Sequence, residues 1–146
     1  MDTRSLVHKF TPAEQWLGIK RHFANVKGSL DRNKFQCRLA VRPTPLSQEY
    51  VLKIRFEKKT IESFEVFVLS PKPLKKAAGQ QKLPHVYNQN SQKLCLCLPA
   101  KKEWVPSMLL ATSVVHWAIE WLYFYEMWLC TGEWLGGGEH PLKKSV

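Results

Sequence analysis

Acidic residues are scarce: twelve Asp and Glu stand against twenty-two Lys and Arg, giving a formal net charge of +10. Such a field favours an acidic partner surface, nucleic acid or anionic lipid without choosing among them, and a protein that is simply basic explains it equally well. Cysteine is also sparse, at positions 37, 95, 97 and 130. Four thiols without paired spacing exclude a zinc ribbon, and their low density excludes a secreted disulfide scaffold. A reducing cytoplasm fits this usage best. The opening MDTRSLVHKF lacks an apolar run of signal-peptide length, so export through it is not expected. No internal repeat is present.

What the chain does have is apolar mass. Its 146 residues are 45% hydrophobic and 12% aromatic, enough for a buried core and too apolar for a disordered composition. One domain over residues 1–146 is expected. Five of the six tryptophans lie from Trp104 onward, which marks the last third as an aromatic core or interaction surface. The segment Met108–Leu129 has the length of a membrane span, yet it carries His116, Glu120 and Glu126, which are costly at bilayer depth. At 100° per residue, Leu110, Val114, Trp117, Trp121, Phe124 and Trp128 share one stripe, and Thr112, Ser113, His116 and Glu120 another. This predicts a buried helix with one wet strip rather than a span, and no membrane partner.

Earlier in the chain, Thr11-Pro12-Ala13-Glu14 has the form of a capping box with proline at the first helical position. Trp16, Ile19, Phe23 and Val26 follow at helical spacing, predicting a helix over Pro12–Lys27 closed by Gly28. Lys20, Arg21 and Lys27 lie off the apolar stripe as a solvated basic face. Next come three strands: Phe35–Val41 and Tyr50–Phe56 alternate apolar with polar residues, and Phe64–Leu69 is apolar on both faces after Glu65. Their short connections predict an antiparallel meander against the first helix. Cys37 takes an inward position there, as a core thiol. The stretch Ser70–Pro84, with three prolines and four lysines, reads as a long irregular loop within the same domain.

The chemistry concentrates in His85–Pro106, HVYNQNSQKLCLCLPAKKEWVP. If Leu94–Leu98 is extended, Cys95 and Cys97 share one face while Leu94, Leu96 and Leu98 anchor the other. An anchored outward thiol near Lys93 and His85 has what a nucleophile needs: access, and cations that favour the thiolate. The residues alone leave a cysteine-bearing core strand open. They also leave open a metal site from His85, Cys95, Cys97 and His140, for which a lone Cys-x-Cys is weak support.

These residues resemble the ubiquitin-conjugating (E2-like) enzymes, in which a histidine motif stands ten residues before a cysteine, leucine follows, and Trp-x-Pro precedes a helix. Here His85 precedes Cys95 by ten, Leu96 follows, and Trp104-Val105-Pro106 opens the long helix. More closely, His85-Val86-Tyr87, Leu94-Cys95-Leu96, Glu103–Pro106, Trp117, Glu120-Trp121-Leu122, Tyr125-Glu126, Trp128, Thr131–Trp134 and Gly136–Pro141 resemble the E2-like proteins of bacterial type II CBASS anti-phage operons.

The resemblance implies an α/β (α+β) fold of N-terminal helix, antiparallel meander, active-site flap and long C-terminal helix. It implies acyl transfer through Cys95 without cofactor or metal. The acyl donor would be the C-terminus of a cGAS-like nucleotidyltransferase and the acceptor a lysine amine. It also implies a stand-alone conjugating module, without the domain that activates a C-terminus with ATP. Val86 and Tyr87 replace the Pro and Asn of the general motif, so the usual oxyanion asparagine is missing from its place. His85 is then expected to order the flap through its ring nitrogens, with Tyr87 or Asn88 supplying the oxyanion donor. Gly132 closes the helix and Trp134 can fold back on it, while Gly136-Gly137-Gly138 reads as a turn rather than a conjugatable end. The alternative is a non-catalytic basic module for nucleic acid or an acidic protein. Nucleic acid is disfavoured because the basic residues do not interleave with aromatics along any one strand.

Overall fold

The structure, a computed structural model, describes residues 7–58, 63–96 and 103–136. It is a mixed α+β fold: an N-terminal helix α1 (Pro12–His22), six antiparallel strands in one sheet, and a long C-terminal helix α2 (Val114–Thr131). The strands are β1 (Lys27–Leu30), β2 (Lys34–Val41), β3 (Tyr50–Glu57), β4 (Phe64–Ser70), β5 (Val86–Asn88) and β6 (Lys93–Leu94). Their order across the sheet is β1-β2-β3-β4-β6-β5.

The capping box forms as the sequence predicts. The Glu14 N–H donates to Thr11 Oγ1 at 3.1 Å, and the Thr11 N–H donates to Glu14 Oε1 at 2.9 Å. The helix is shorter than expected, however, ending at His22 with Phe23 already extended. Phe23 and Val26 still pack on the core, because their three-residue spacing serves a turn through Ala24-Asn25 as well as it serves a helix. Lys27 and Gly28 therefore belong to β1, a strand the periodicity did not reveal. Gly28 is no helix cap: a Cβ there would run into the Gln36 carbonyl oxygen and stand 2.7 Å from Cys37 Cα. Its lack of a side chain lets β1 lie against β2.

The predicted strands appear with their inward residues buried. Phe35, Cys37, Leu39 and Val41 meet Phe56, Ile54, Leu52 and Tyr50 across the β2–β3 ladder. β4 is the more enclosed strand because β6 covers its other edge, pairing Phe67 with Lys93. Both helices lie on the inner face, where Ile19, Ala118, Trp121 and Leu122 join the core of the sheet. Gln15, fully buried in α1, ties the two helical regions together: its Nε2 donates to the Met108 carbonyl and its Oε1 accepts from the Leu110 N–H.

A 3-10 turn at Leu110–Thr112 precedes α2. The buried stripe of α2 is Val114, Val115, Ala118, Trp121, Leu122, Tyr125 and Trp128. Trp117 and Phe124 sit at its half-buried border instead of its centre, and the small Ala118 is fully buried in the core. His116 and Glu120 are exposed as expected. Among the described residues no helix is long and apolar enough to cross a membrane. Gly132 closes α2 in the left-handed conformation at φ 79°, donating its N–H to the Trp128 carbonyl.

The segment after β4 is irregular and anchored. Leu74, Ala77 and Leu83 are buried in the core, and the Tyr125 hydroxyl donates to the Lys75 carbonyl at 2.6 Å. Gln92 pins the segment to the sheet. Its Nε2 donates to the carbonyls of Val68 and Pro71, and its Oε1 accepts from the Leu74 N–H.

Candidate active site

His85, Tyr87, Asn88 and Cys95 all fall on one hairpin, β5 and β6, at the edge of the sheet beyond β4. The hairpin is the flap anticipated from sequence. Its turn is built by amide side chains: Asn88 Oδ1 accepts from the Ser91 N–H at 2.9 Å, and Gln89 exchanges two hydrogen bonds with the Leu83 backbone. Gln92 then takes a positive φ of 55° before the chain enters β6. Leu94 is buried, Leu96 packs against the core, and Cys95 between them is half-buried. The anchoring of the thiol by its leucine neighbours is as expected for these two residues; Cys97 and Leu98 lie outside the described residues.

His85 and Cys95 are joined through the backbone. The Cys95 N–H donates to the His85 carbonyl at 3.0 Å, and Trp121 Nε1–H from α2 donates to the same carbonyl at 3.0 Å. A positive φ of 50° at a non-glycine residue costs roughly 1–2 kcal/mol, so this geometry is held by its surroundings. The holding is specific. Two donors fix the carbonyl, and His85, 8% exposed as a residue, stacks its imidazole on Trp134 with ring centroids 5.0 Å apart. Trp134 does fold back beyond Gly132, and it also packs on Trp121 and Phe124.

On the other face of β5, the Lys93 ammonium lies 5.1 Å from the centre of the Tyr87 ring and 3.1 Å from Glu65 Oε2. Lys93 is thus part of a charge pair on the sheet surface. Trp104 packs edge-on against Phe64 and Phe56, fixing the chain ahead of the 3-10 turn. His140 lies outside the described residues. Among those described, no three His, Cys, Asp or Glu side chains gather as a metal cage.

The other described thiols, Cys37 and Cys130, differ from Cys95 in burial. Cys37 is buried in the core, and burial pushes its pKa up to about 12, which keeps it protonated and inert. Cys130 is exposed near the end of α2. Sequence reasoning missed Trp121 as the donor to His85 and Gln92 as the pin beneath the flap. Trp121 carried a signal, an indole on the buried stripe that requires a polar partner, but the partner is 36 residues away.

No curated protein matches the chain. The model of the type II CBASS E2 protein family matches residues 15–141, from within α1 through the flap and α2 to Pro141, and the chain belongs to that family.

Proposed function

We propose that this CBASS E2 protein is an acyl-transfer enzyme with Cys95 as its nucleophile. The reading rests chiefly on one observation: the half-buried thiol follows β6 directly, and its own N–H is locked to the His85 carbonyl that Trp121 also holds. A nucleophile must be reachable and held in one place, and this thiol satisfies both needs.

In the first step the Cys95 thiolate attacks the carbonyl carbon of a partner's C-terminal glycyl group, which arrives as a thioester on a separate activating protein. The new carbon–sulfur bond forms, the donor's thiolate leaves, and the acyl group rests on Cys95. In the second step a neutral lysine amine attacks that carbonyl, the carbon–sulfur bond breaks, an amide forms, and Cys95 is released as the thiolate with the amine's proton passed to solvent. Both steps build negative charge on the carbonyl oxygen, so a donor aimed at it gains on the order of a hundredfold or more in rate. Tyr87 and Asn88 are the side chains assigned to that role. The Asn88 carbonyl oxygen is turned to the Ser91 N–H, which leaves donation to its Nδ2.

The partner is the C-terminus of a cGAS-like nucleotidyltransferase, and the reaction belongs to anti-phage defence in the reducing cytoplasm. The test is to charge the protein with its donor and separate the products without reductant. An adduct that Cys95→Ala abolishes and Cys97→Ala preserves supports the assignment; the reverse pattern moves the nucleophile to Cys97.

A further inference from the structure

The outer face of the sheet, opposite the helices, carries a row that no single strand reveals. Strand register sets Lys27 across from Arg38, Arg38 across from Lys53, Lys53 across from Phe67 and Phe67 across from Lys93. Three cations on adjacent strands thus face one another with no carboxylate between them. Like charges directly opposite destabilise a sheet, so the arrangement costs the isolated protein stability that an anion would restore. The neighbouring carboxylate, Glu65, is engaged by Arg55 at 3.7 Å and Lys93 at 3.1 Å.

The same face is concave. Lys27, Ser29, Gln36, Arg38 and Lys53 are among the residues that line a depression of about 330 Å³. Next in the row comes an aromatic: Phe67 is half-buried, with the Lys53 ammonium 6.0 Å from its ring centre.

We propose that this face binds single-stranded nucleic acid, with Lys27, Arg38 and Lys53 on successive phosphates and Phe67 stacking a base. Cations for the backbone beside a ring for a base are the two parts of a single-strand platform. A run of Asp and Glu would match the cations but offers no ring to stack on Phe67. The interleaving missing along each strand is present across strands, because antiparallel register assembles it. This inference is independent of acyl transfer at Cys95.

The experiment is fluorescence anisotropy of the full chain with a labelled single-stranded oligonucleotide of about twelve residues, a length within the range such platforms cover. Saturable binding is expected, with a slope of log affinity against log salt of about −2 for three phosphates. Arg38→Glu with Lys53→Glu should weaken it tenfold or more, whereas Lys9→Glu with Arg21→Glu, which removes the same charge away from this face, should weaken it much less. If the first pair fails to fold by circular dichroism, Lys27→Gln with Arg38→Gln replaces it, with the same weakening expected. Phe67→Ser should cost the oligonucleotide roughly fivefold or more and leave inorganic polyphosphate binding unchanged. Equal losses from both charge-reversal pairs, equal competition by polyglutamate, or no saturable binding would overturn the proposal.

Discussion

Trp121 on the C-terminal helix donates its indole N–H to the carbonyl of His85, thirty-six residues earlier, at 3.0 Å. The bond joins the helix to the flap at the one carbonyl that also receives the Cys95 N–H. Through it, the position of Cys95 depends on a buried helix face, and the predictions for the flap begin there.

Trp121→Phe keeps most of the ring and removes the donor. The buried His85 carbonyl then loses the indole donor while keeping the Cys95 N–H, and one such bond is worth about 0.5–1.5 kcal/mol. The midpoint of urea unfolding should fall accordingly. Thioester formation should slow further than lost stability explains, because the φ of 50° at His85 is no longer held from the helix side.

The oxyanion assignment is separable from the turn. Asn88→Asp keeps an oxygen for the Ser91 N–H while deleting the amide donor, and Tyr87→Phe deletes only a hydroxyl. One of the two variants should slow both formation and discharge of the thioester by roughly tenfold to a thousandfold with the fold intact. Parent rates from both would transfer the role to backbone N–H groups or to the partner.

Gly28→Ala tests the strand that the sequence concealed. The added methyl meets the Gln36 carbonyl and the Cys37 Cα, neither of which is a side-chain tip that can swing away. β1 should detach from β2, with faster hydrogen exchange at the paired amides of Lys27–Leu30 and a lower melting temperature. Unchanged exchange would mean that the sheet begins at β2.

Alkaline pH should weaken the fold. Burial raises the Cys37 thiol from 9.0 to about 12 and the Tyr125 hydroxyl from 10.0 to about 12, and it pushes Tyr50 up too. The folded protein holds these protons where the unfolded chain has released them. The stability contribution is therefore complete below about pH 9 and is lost as the pH climbs towards about 12. Urea midpoints measured at rising pH should decline through this window, and Cys37→Ala should decline less steeply between pH 9 and 10.

What could be read from the chain follows the range of the interactions. The capping box, the alternation of β2 and β3 and the Gly132 closure are local, and each formed where its residues predicted. The first helix was overextended because Phe23 and Val26 satisfy a helix and a turn alike. β1 was hidden because Lys27-Gly28-Ser29-Leu30 is exposed throughout and has no alternation to detect. In the flap, the ten-residue spacing from His85 to Cys95 was legible and the pairing behind it was not. The Trp121 bond, the Trp134 stack and the Gln92 pin are all contacts between distant segments, which only folding brings together.

The most direct measurement is the site of the acyl adduct itself. The charged protein is quenched at low pH without reductant, digested, and mapped by mass spectrometry. Acylation through a thioester is predicted on the peptide carrying Cys95, released by hydroxylamine or thiol, and absent from Cys95→Ala. Acylation confined to Cys97 or Cys130, or a thiol-resistant adduct that survives Cys95→Ala, would contradict the account.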